Sequence, residues 1–523
     1  MDKKIYWLLT GILFIISAFF LGYLVYSNLD KGLVMNDEAY YLMHFRDFRE
    51  IITVDATNYF RIFQLFYTDN IYHFRVITLV LLNASSFLLF ALAARYYQLK
   101  IHPVLFGFLG ICLNFLSWQG TIIVLNQYHG NTILMNLSLS FLLLFLLYRK
   151  SFFVVISGAI LGILFFDGIP HSIAIVPVAL FILYNFWKEN KRIVYLFFGG
   201  ILLGLAFYFI FIEDFSTYIA QFEYLKIYKS FHRKQHPIRF YFYWFALVIG
   251  FIFIPLSILI YFFHKKVINK KVVLDKLLLF FGFVLVLTAT FFQNLHLLYV
   301  FLGLLIYRFT LEEPSNKEIT FLLILFLIPF GLAFGSGFYF HIRAGMYQIY
   351  FFLALNIILL RLYSIKTYIL FLVFFIGILL NYPKFLNEKG WKDFIYIEQN
   401  IPVQINGHTL YLDKKTNKDI EDLRPYLQNQ QKVIYSSNHL MGYLYILNAK
   451  PPVPYYFTLK NYIQYYIEKN GDQPDDYIYI ESNDYPFSVK EIVPLKFVKH
   501  PENYEIVKAG RFTIYLPQNF QKK

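Results

Sequence analysis

The chain has 523 residues, of which 58% are hydrophobic and 15% are charged. A soluble core of this length cannot bury so many apolar side chains, so the composition indicates an integral membrane protein. A single cysteine, Cys112, excludes an internal disulfide, and a formal net charge of +14 that is spread through short loops favours lipid head groups or phosphorylated lipid over nucleic acid as a partner.

The apolar segments predict thirteen membrane-spanning helices, because a bilayer core requires about 20 apolar residues per helix. The first segment is too long for a signal-peptide core and lacks a small-residue cleavage site, so we expect a retained anchor. Residues 152–166 and 169–187 are short, and one kinked or re-entrant unit is the alternative for this pair. The predicted spans are residues 5–26, 76–97, 103–125, 132–148, 152–166, 169–187, 193–212, 240–263, 275–292, 295–309, 319–338, 345–361 and 366–382.

The short basic loops predict the orientation of these spans, since lysine and arginine concentrate on the cytoplasmic side. They place the N-terminus in the cytoplasm. The opposite face then holds two long loops, residues 27–75 and 213–239, and an odd number of spans delivers the tail to that face. The basic positions are Lys3 and Lys4, Arg95 and Lys100, Arg149 and Lys150, Lys188 to Arg192, Lys265 to Lys271, Arg308 and Lys317, and Arg361 and Lys366.

The composition changes after residue 382, which divides the chain into a transmembrane domain, residues 1–382, and an extracytoplasmic domain, residues 383–523. Short runs ending at Leu412, Tyr435 and Ile480 predict strands. Residues 419–428 and 459–469 carry apolar side chains at helical spacing. We therefore expect an α-helical polytopic membrane protein with a small C-terminal α/β domain.

Two adjacent carboxylates, Asp37 and Glu38, lie in the first long loop, followed by Tyr40 and Tyr41. The tyrosines are typical of an interfacial helix with its rings at head-group depth. A carboxylate in such a place can take a proton from an acceptor hydroxyl. The alternative is a solvated pair at a helix start, with Asn36 or Asp37 as N-cap.

Cationic side chains on the predicted outer face are candidates for binding a phosphate. Arg75 lies at the outer mouth of the second span, and the alternative for it is an arginine that extends to lipid head groups. Lys226, Lys229 and Arg233 lie among aromatic residues in the second long loop, where the alternative is simple binding of anionic lipid. Arg343, in a later short connection, is the third candidate or else an interfacial anchor.

Three further polar residues are candidates for lining a cavity or an acceptor site, namely His129, Asn131 and Asp167. A carboxylate within an apolar segment is usually functional, but Asp167 is alternatively a cap for the helix that Gly168 and Pro170 interrupt. We predict no metal site and no cofactor, although Asp37, Glu38 and His129 leave a divalent cation open. The chain lacks a phosphate-binding glycine loop, which argues against a nucleotide-sugar donor.

Several short motifs, taken in their order along the chain, resemble the GT-C superfamily of membrane glycosyltransferases, and within it the branch of dolichyl-phosphate-mannose-protein mannosyltransferases and aminoarabinose transferases. The resemblance covers about residues 1–310. The motifs are Asp37-Glu38, Tyr72 to Val76 with Ala93 to Tyr96, Phe153 to Gly168 with Gly158 and Gly162, His236 to Tyr241 with Ile254-Pro255, and Phe291 to Asn294 with Leu298 to Val300.

The resemblance implies transfer of a sugar from a polyprenyl-phosphate carrier to a protein, lipid or polysaccharide acceptor outside the cytoplasm. It implies Asp37 as the general base, with Glu38 supporting it or exchanging roles. Where this branch tends to have an aspartate opening the fourth span, the chain has Asn131, and where it often has a lysine near the fifth, the chain has Asp167. The richness in Tyr, Phe, Asn, Lys and Ile is typical of an AT-rich bacterial genome and hence of a bacterial inner membrane.

Two other functions stay open from the sequence. A flippase or transporter of a lipid-linked saccharide would use the same basic loops, although no inverted repeat is evident. A polysaccharide polymerase or ligase would also act outside the cytoplasm on a lipid-linked glycan.

Overall fold

The computed structural model describes residues 3–24, 26–49, 57–117, 123–222, 252, 254–266, 295–334, 344–363, 398–451, 467–468, 471, 473–482 and 501–520. Most of this part of the chain is helical, as the apolar runs predict. The helices of the apolar half are α1 (Lys3–Leu24), α2 (Asp37–Arg46), α3 (Tyr59–Ile62), α4 (Ile71–Tyr96), α5 (Pro103–Ser117), α6 (Gln127–Tyr148), α7 (Phe152–Asp167), α8 (Ile175–Phe186), α9 (Lys191–Phe211), α10 (Ile254–Lys266), α11 (Leu295–Thr310), α12 (Asn316–Ala333) and α13 (Ile349–Leu362).

Four described helices, α4, α6, α9 and α12, are long and apolar enough to cross a membrane, which supports a membrane-embedded protein. Shorter apolar helices include α7 and α8. The predicted spans 275–292 and 366–382 lie outside the described residues, as does most of 240–263. Helix α4 begins five residues before the predicted span, because Asn70 caps it by accepting a hydrogen bond from the His73 backbone N–H at 3.2 Å.

The short pair of predicted spans forms two helices. Helix α7 ends at Gly168, whose φ of −178° and ψ of 117° are extended, and a 3₁₀ turn, Ile169–Ala174, leads into α8. Pro170 in that turn cannot donate the hydrogen bond that would continue α7. A 3₁₀ linker thus separates the two helices, and the path of the pair through the membrane stays a prediction.

Helices α7 and α9 approach each other closely through glycines. A Cβ atom on Gly158 would lie less than 3.0 Å from the Phe197 carbonyl oxygen, and one on Gly200 would lie equally close to the Val155 carbonyl oxygen. Small residues four apart permit backbones to touch in this way, and they are typical of helix pairs in membranes. The glycine-rich segment of α7 thus forms a packing surface.

The C-terminal part contains β1 (Ile401–Ile405), β2 (His408–Leu412), α14 (Lys414–Leu427), β3 (Val433–Tyr435), α15 (Met441–Ile446), β4 (Ile478–Ser482), β5 (Tyr504–Ala509) and β6 (Phe512–Pro517). Strands β1 and β2 form a hairpin, and the others form a sheet in the order β3-β4-β6-β5 with β3 parallel to β4. The strands predicted at Leu412, Tyr435 and Ile480 are present. The predicted helix at 459–469 lies almost entirely outside the described residues.

The sheet and helices from β1 to β6, which we call the C-terminal domain, contact the segment between α1 and α2. The Gly32 backbone N–H donates to the Tyr411 carbonyl at 2.8 Å, and the Tyr411 N–H donates to the Asp30 carbonyl at 2.9 Å. The Gly442 N–H of α15 donates to the Met35 carbonyl at 2.7 Å. We call this end of the helix bundle the domain-bearing end.

Candidate functional site

The two adjacent acids on α2 have opposite environments. Asp37 is the first residue of α2 and is exposed, whereas Glu38 is completely buried. Successive helical residues point about 100° apart, and the Glu38 side faces the bundle. Asn36 occupies the N-cap position of α2, as one alternative predicts, but its side chain makes no capping hydrogen bond. Only Asp37 of this pair presents an exposed carboxylate.

Glu38 and Arg75 form a buried ion pair that ties α2 to α4. The Arg75 Nε lies 2.8 Å from Glu38 Oε1, and Nη2 lies 2.9 Å from Oε2. The remaining donors of Arg75 reach the carbonyl oxygens of Leu29, Lys31 and Gly32 at 2.7, 3.0 and 2.7 Å. Glu38 Oε2 also accepts the Val34 backbone N–H at 2.9 Å.

These hydrogen bonds use every N–H of the Arg75 guanidinium. The side chain is completely buried, so the alternative in which it extends to lipid head groups is wrong. Its predicted role as a phosphate ligand stays a prediction, yet in this arrangement it has no donor left for one. The pair instead holds the Leu29–Gly32 turn, which also contacts the C-terminal domain.

The tyrosines of α2 lie inside the protein. Eight of the ten residues of α2 are buried, including Tyr40 and Tyr41. The Tyr40 ring centroid is 3.9 Å from that of His44, and the Tyr41 ring meets Tyr59 edge-on at 5.6 Å. The rings therefore pack against protein, because α2 is covered by α3 and α15, and the position of α2 at head-group depth stays a prediction. A part for these tyrosines in acceptor binding stays a prediction.

His44, which the sequence analysis did not single out, is held neutral at the core of this end. Its Nδ1 lies 2.8 Å from the Tyr59 hydroxyl, and burial lowers the pKa of His44 to about 3. Asp47 raises this pKa and Arg61 lowers it, but burial is the larger cause. The only sequence signal was its place three or four residues after the tyrosines, on the same helix face.

A second buried polar network joins α3 to the end of α9. Glu213 accepts hydrogen bonds from Arg61, from the Tyr208 hydroxyl at 2.5 Å and from Gln221 at 2.8 Å. Gln221 and Asn58 exchange side-chain hydrogen bonds at 3.2 and 3.3 Å. Burial raises the pKa of Glu213, and the Arg61 charge opposes that shift. In the sequence, this network could have been predicted from a glutamate that directly follows the apolar run of α9.

Asp167, the last residue of α7, is completely buried and has no hydrogen-bond partner on either carboxylate oxygen within the described ranges. The cap of α7 is Gly168, and the following 3₁₀ turn has no side-chain capping hydrogen bond. The interpretation of Asp167 as a helix cap is therefore wrong. Gly130 of α6 faces it, since a Cβ there would lie 3.0 Å from Oδ1 and 3.3 Å from Oδ2.

His129 and Asn131 flank Gly130 and are buried. His129 Nδ1 lies 3.1 Å from the Val124 carbonyl oxygen. Asn131 donates from Nδ2 to the Tyr347 hydroxyl at 3.2 Å, while its Oδ1 has no partner in the part of the chain that is described. Of this stretch of α6, the residue that faces Asp167 is thus Gly130, while the side chains of His129 and Asn131 contact Val124 and Tyr347.

The remaining predicted site residues, Lys226, Lys229, Arg233 and Arg343, lie outside the described residues. Within the described ranges no group of three or more His, Cys, Asp or Glu side chains is arranged to hold a metal ion. The structure therefore describes the carboxylates of the candidate site, whereas the phosphate-binding role of the four cationic residues stays a prediction.

The chain matches no protein-family model. A comparison with curated proteins likewise finds no significant match. The resemblance to the GT-C superfamily accordingly stays a prediction that depends on the short motifs alone.

Proposed function

We propose that the protein is a membrane glycosyltransferase that moves a sugar from a polyprenyl-phosphate carrier to an acceptor hydroxyl. The observation that supports this proposal best is the exposed carboxylate of Asp37 at the start of α2, which the Glu38–Arg75 pair ties to the long apolar helix α4. Such a carboxylate can serve a lipid-borne donor and a water-borne acceptor together.

The proposal includes the finer topology that hydropathy and loop charge predict. Residues 1–382 would form thirteen GT-C-like spans with a cytoplasmic N-terminus, and residues 383–523 would lie on the exoplasmic face of a bacterial inner membrane. The domain-bearing end is then the outer end. Asp37, on this end, would face the compartment in which the acceptor resides.

In the proposed reaction, Asp37 accepts the proton of the acceptor hydroxyl while the acceptor oxygen forms a bond to the anomeric carbon of the sugar. The bond between that carbon and the phosphate oxygen breaks, and the electron pair leaves with the polyprenyl phosphate. The products are the glycosylated acceptor, protonated Asp37 and the polyprenyl-phosphate dianion. Cations stabilise the charge that develops on this leaving group, and Lys226, Lys229, Arg233 and Arg343 are the proposed sources.

Glu38 has a supporting role in this proposal. Its carboxylate is shared between Arg75 and the Val34 N–H, so an exchange of roles with Asp37 would require the buried pair to break. Breaking such a pair leaves an uncompensated buried charge. We therefore assign proton transfer to Asp37 and positioning of α2 to Glu38 and Arg75.

The test is transfer by the purified full-length protein in lipid nanodiscs. Asp37→Asn should lower turnover of polyprenyl-phosphate sugars by about 10²- to 10⁴-fold, without lowering the thermal midpoint. The matched control is Asp69→Asn, since Asp69 is an exposed acid at the same end whose carboxylate accepts from the Tyr67 hydroxyl at 2.7 Å. Release of polyprenyl phosphate and a mass gain of one monosaccharide on a mixed acceptor panel are the readouts.

Undiminished turnover in Asp37→Asn would falsify the assignment of the base. Lipid translocation in liposomes without any glycosidic product would favour the flippase, and addition of a preassembled glycan would favour the polymerase or ligase.

A further inference from the structure

Helix α9 presents an apolar face to its surroundings. Only 33% of its apolar stretch is buried, the smallest share among the four described helices that could cross a membrane, and Leu202, Ile210 and Phe211 are among its exposed side chains. Its 21 residues measure about 30 Å, which matches the hydrocarbon thickness of a bilayer. A spanning α9 therefore contacts lipid along its length and ends near the boundary between acyl chains and head groups.

The exposed apolar surface continues beyond the end of α9. Residues 215–222 form a second, short helix, which we call the post-α9 helix. On this helix Tyr218 and Gln221 are 5% and 0% exposed, whereas Phe215 and Ile219 are 63% and 45% exposed. Residues four apart lie on the same side of a helix. Phe215 and Ile219 thus form an apolar strip on the side that is turned away from the bundle.

Contacts of the buried side hold the post-α9 helix in this orientation. The Tyr218 ring meets Phe166 of α7 edge-on, with the ring centroids 5.1 Å apart. Gln221 donates hydrogen bonds to Glu213 at 2.8 Å and to Asn58 at 3.2 Å. Rotation of the helix would break these buried hydrogen bonds, and buried polar groups without partners are costly. The apolar strip is therefore held on the outside.

A charged residue beside the strip marks the level of water. Asp214 is exposed and caps the post-α9 helix by accepting hydrogen bonds from the Thr217 backbone N–H at 2.9 Å and from its hydroxyl at 2.6 Å. An exposed carboxylate is costly in hydrocarbon, whereas an exposed charge next to an exposed aromatic ring is typical of a helix in the membrane interface. At the other end of α9, Lys191 lies over the exposed Trp187 ring at 5.4 Å, as is typical of the opposite interface.

Membrane lipid fits the apolar strip better than a protein partner does. The Phe215 ring centroid lies 5.3 Å from that of Phe209 in the last turn of α9, so the strip is continuous with the face that lipid contacts. A stable protein interface uses about 20–30 residues on each side, and the strip supplies two side chains. Acyl chains need no such minimum, because each apolar group that they cover contributes in proportion to its own area.

We propose that the post-α9 helix lies flat in the head-group layer of the membrane, with Phe215 and Ile219 inserted among the acyl chains. This layer is the one at the domain-bearing end, because Arg61 of α3 pairs with Glu213 and α3 contacts α2. The inference depends on the membrane-embedded character of the chain and not on sugar transfer. It can therefore fail or succeed independently of the proposed function.

The test measures membrane depth by spin labelling of the full-length protein in lipid nanodiscs. Cys112, the single cysteine, is replaced by alanine, and Phe215→Cys and Ile219→Cys then carry one nitroxide each. Collisions of the nitroxide with molecular oxygen, which concentrates among acyl chains, are compared with its collisions with a water-soluble nickel chelate. The matched control on the same helix is Ser216→Cys, because Ser216 is exposed and points about 100° away from Phe215.

Two further labels provide the reference values. Leu202→Cys, at a residue of α9 that is 65% exposed, gives the ratio of oxygen to nickel collisions within lipid, and Lys418→Cys, at an exposed residue of α14, gives the ratio in water. We expect the ratio at positions 215 and 219 to be several-fold higher than at positions 216 and 418, and to approach that at position 202.

A ratio at positions 215 and 219 that equals the one at position 418 would mean that the strip lies in water, and would overturn the inference. Low collision rates with both reagents would mean that protein, from this chain or from a second copy, covers the strip, and would overturn it as well. A ratio at position 202 equal to that in water would remove the lipid-facing surface of α9 on which the inference depends. Because Phe215 and Ile219 are labelled in separate proteins, a label that unfolds one of them leaves the other as the deciding measurement.

Discussion

The carboxylate of Glu38 and the guanidinium of Arg75 meet in a buried bidentate pair, with heavy-atom distances of 2.8 and 2.9 Å. The same guanidinium holds three carbonyl oxygens of the turn that precedes α2. Because that turn also pairs with Tyr411, the ion pair links α4, the start of α2 and the C-terminal domain. The position of Asp37, next to Glu38, depends on it.

Replacing Arg75 should destabilise the protein strongly. Arg75→Lys retains the charge but cannot serve Glu38 and three carbonyls together, and each buried acceptor that loses its donor costs about 1–3 kcal/mol. We expect a clear fall in the thermal midpoint. The control is Arg361→Lys, at an arginine that is 41% exposed and lies 3.8 Å from Glu318; a surface pair of this kind contributes about 0–1 kcal/mol. Equal midpoints for the two variants would contradict the structural role of Arg75.

Adjacent glycines on α9 should respond oppositely to alanine. At Gly200 the new Cβ would clash with the Val155 carbonyl oxygen, whereas at Gly199 nothing lies within 4 Å. Overpacking of α7 against α9 should cost about 1–3 kcal/mol in Gly200→Ala, while Gly199→Ala should gain up to about 1 kcal/mol of helix propensity. Thermal midpoints of the two variants measure the difference, and a stabilised Gly200→Ala would show that the helices do not touch there.

The contact between the C-terminal domain and α2 should be sensitive to Gly442. In Gly442→Ala the new Cβ would lie 2.5 Å from Met35 Sδ and 2.9 Å from Met35 Cα. The side chain of Met35 can move, but its backbone can shift only with the start of α2. We expect a cost of about 1–3 kcal/mol and a fall in kcat, because Asp37 is displaced. His439→Ala, at an exposed residue before α15, is the control, and a Gly442→Ala protein with native kcat would count against the coupling.

His44 should make stability depend on pH. Its pKa is about 3 in the folded protein, against an ordinary value of 6.5, so below pH 6.5 the unfolded chain takes up a proton that the folded protein does not. Stability from this group is therefore complete above pH 6.5 and falls as the pH falls toward 3, by up to about 1.4 kcal/mol per pH unit. His44→Gln should flatten the decline of the thermal midpoint between about pH 7.5 and pH 5. A variant at the exposed His73, His73→Gln, should keep the native slope, and identical slopes for all three proteins would refute the prediction.

The local sequence pattern was sufficient to predict that the chain is embedded in a membrane and to predict much of its secondary structure. Hydropathy is summed over about 20 consecutive residues, so α4, α6, α9 and α12 are evident without any tertiary information. The helix break after Asp167 could also be predicted, because Gly168 disfavours a helix and Pro170 has no backbone N–H to continue one. The start of α4 was missed because a cap at Asn70, rather than apolarity, determines it.

Local pattern also placed Asp37 and Glu38 at a helix start beside apolar spans. The three-dimensional fold was needed to show that Glu38 is buried against Arg75 while Asp37 stays exposed, and that Asp167 lies beside Gly130 with no partner in the described part of the chain. Burial and pairing depend on residues far apart in sequence, here 37 residues both from Glu38 to Arg75 and from Gly130 to Asp167. Hydropathy and spacing report only what a residue's own neighbours along the chain provide.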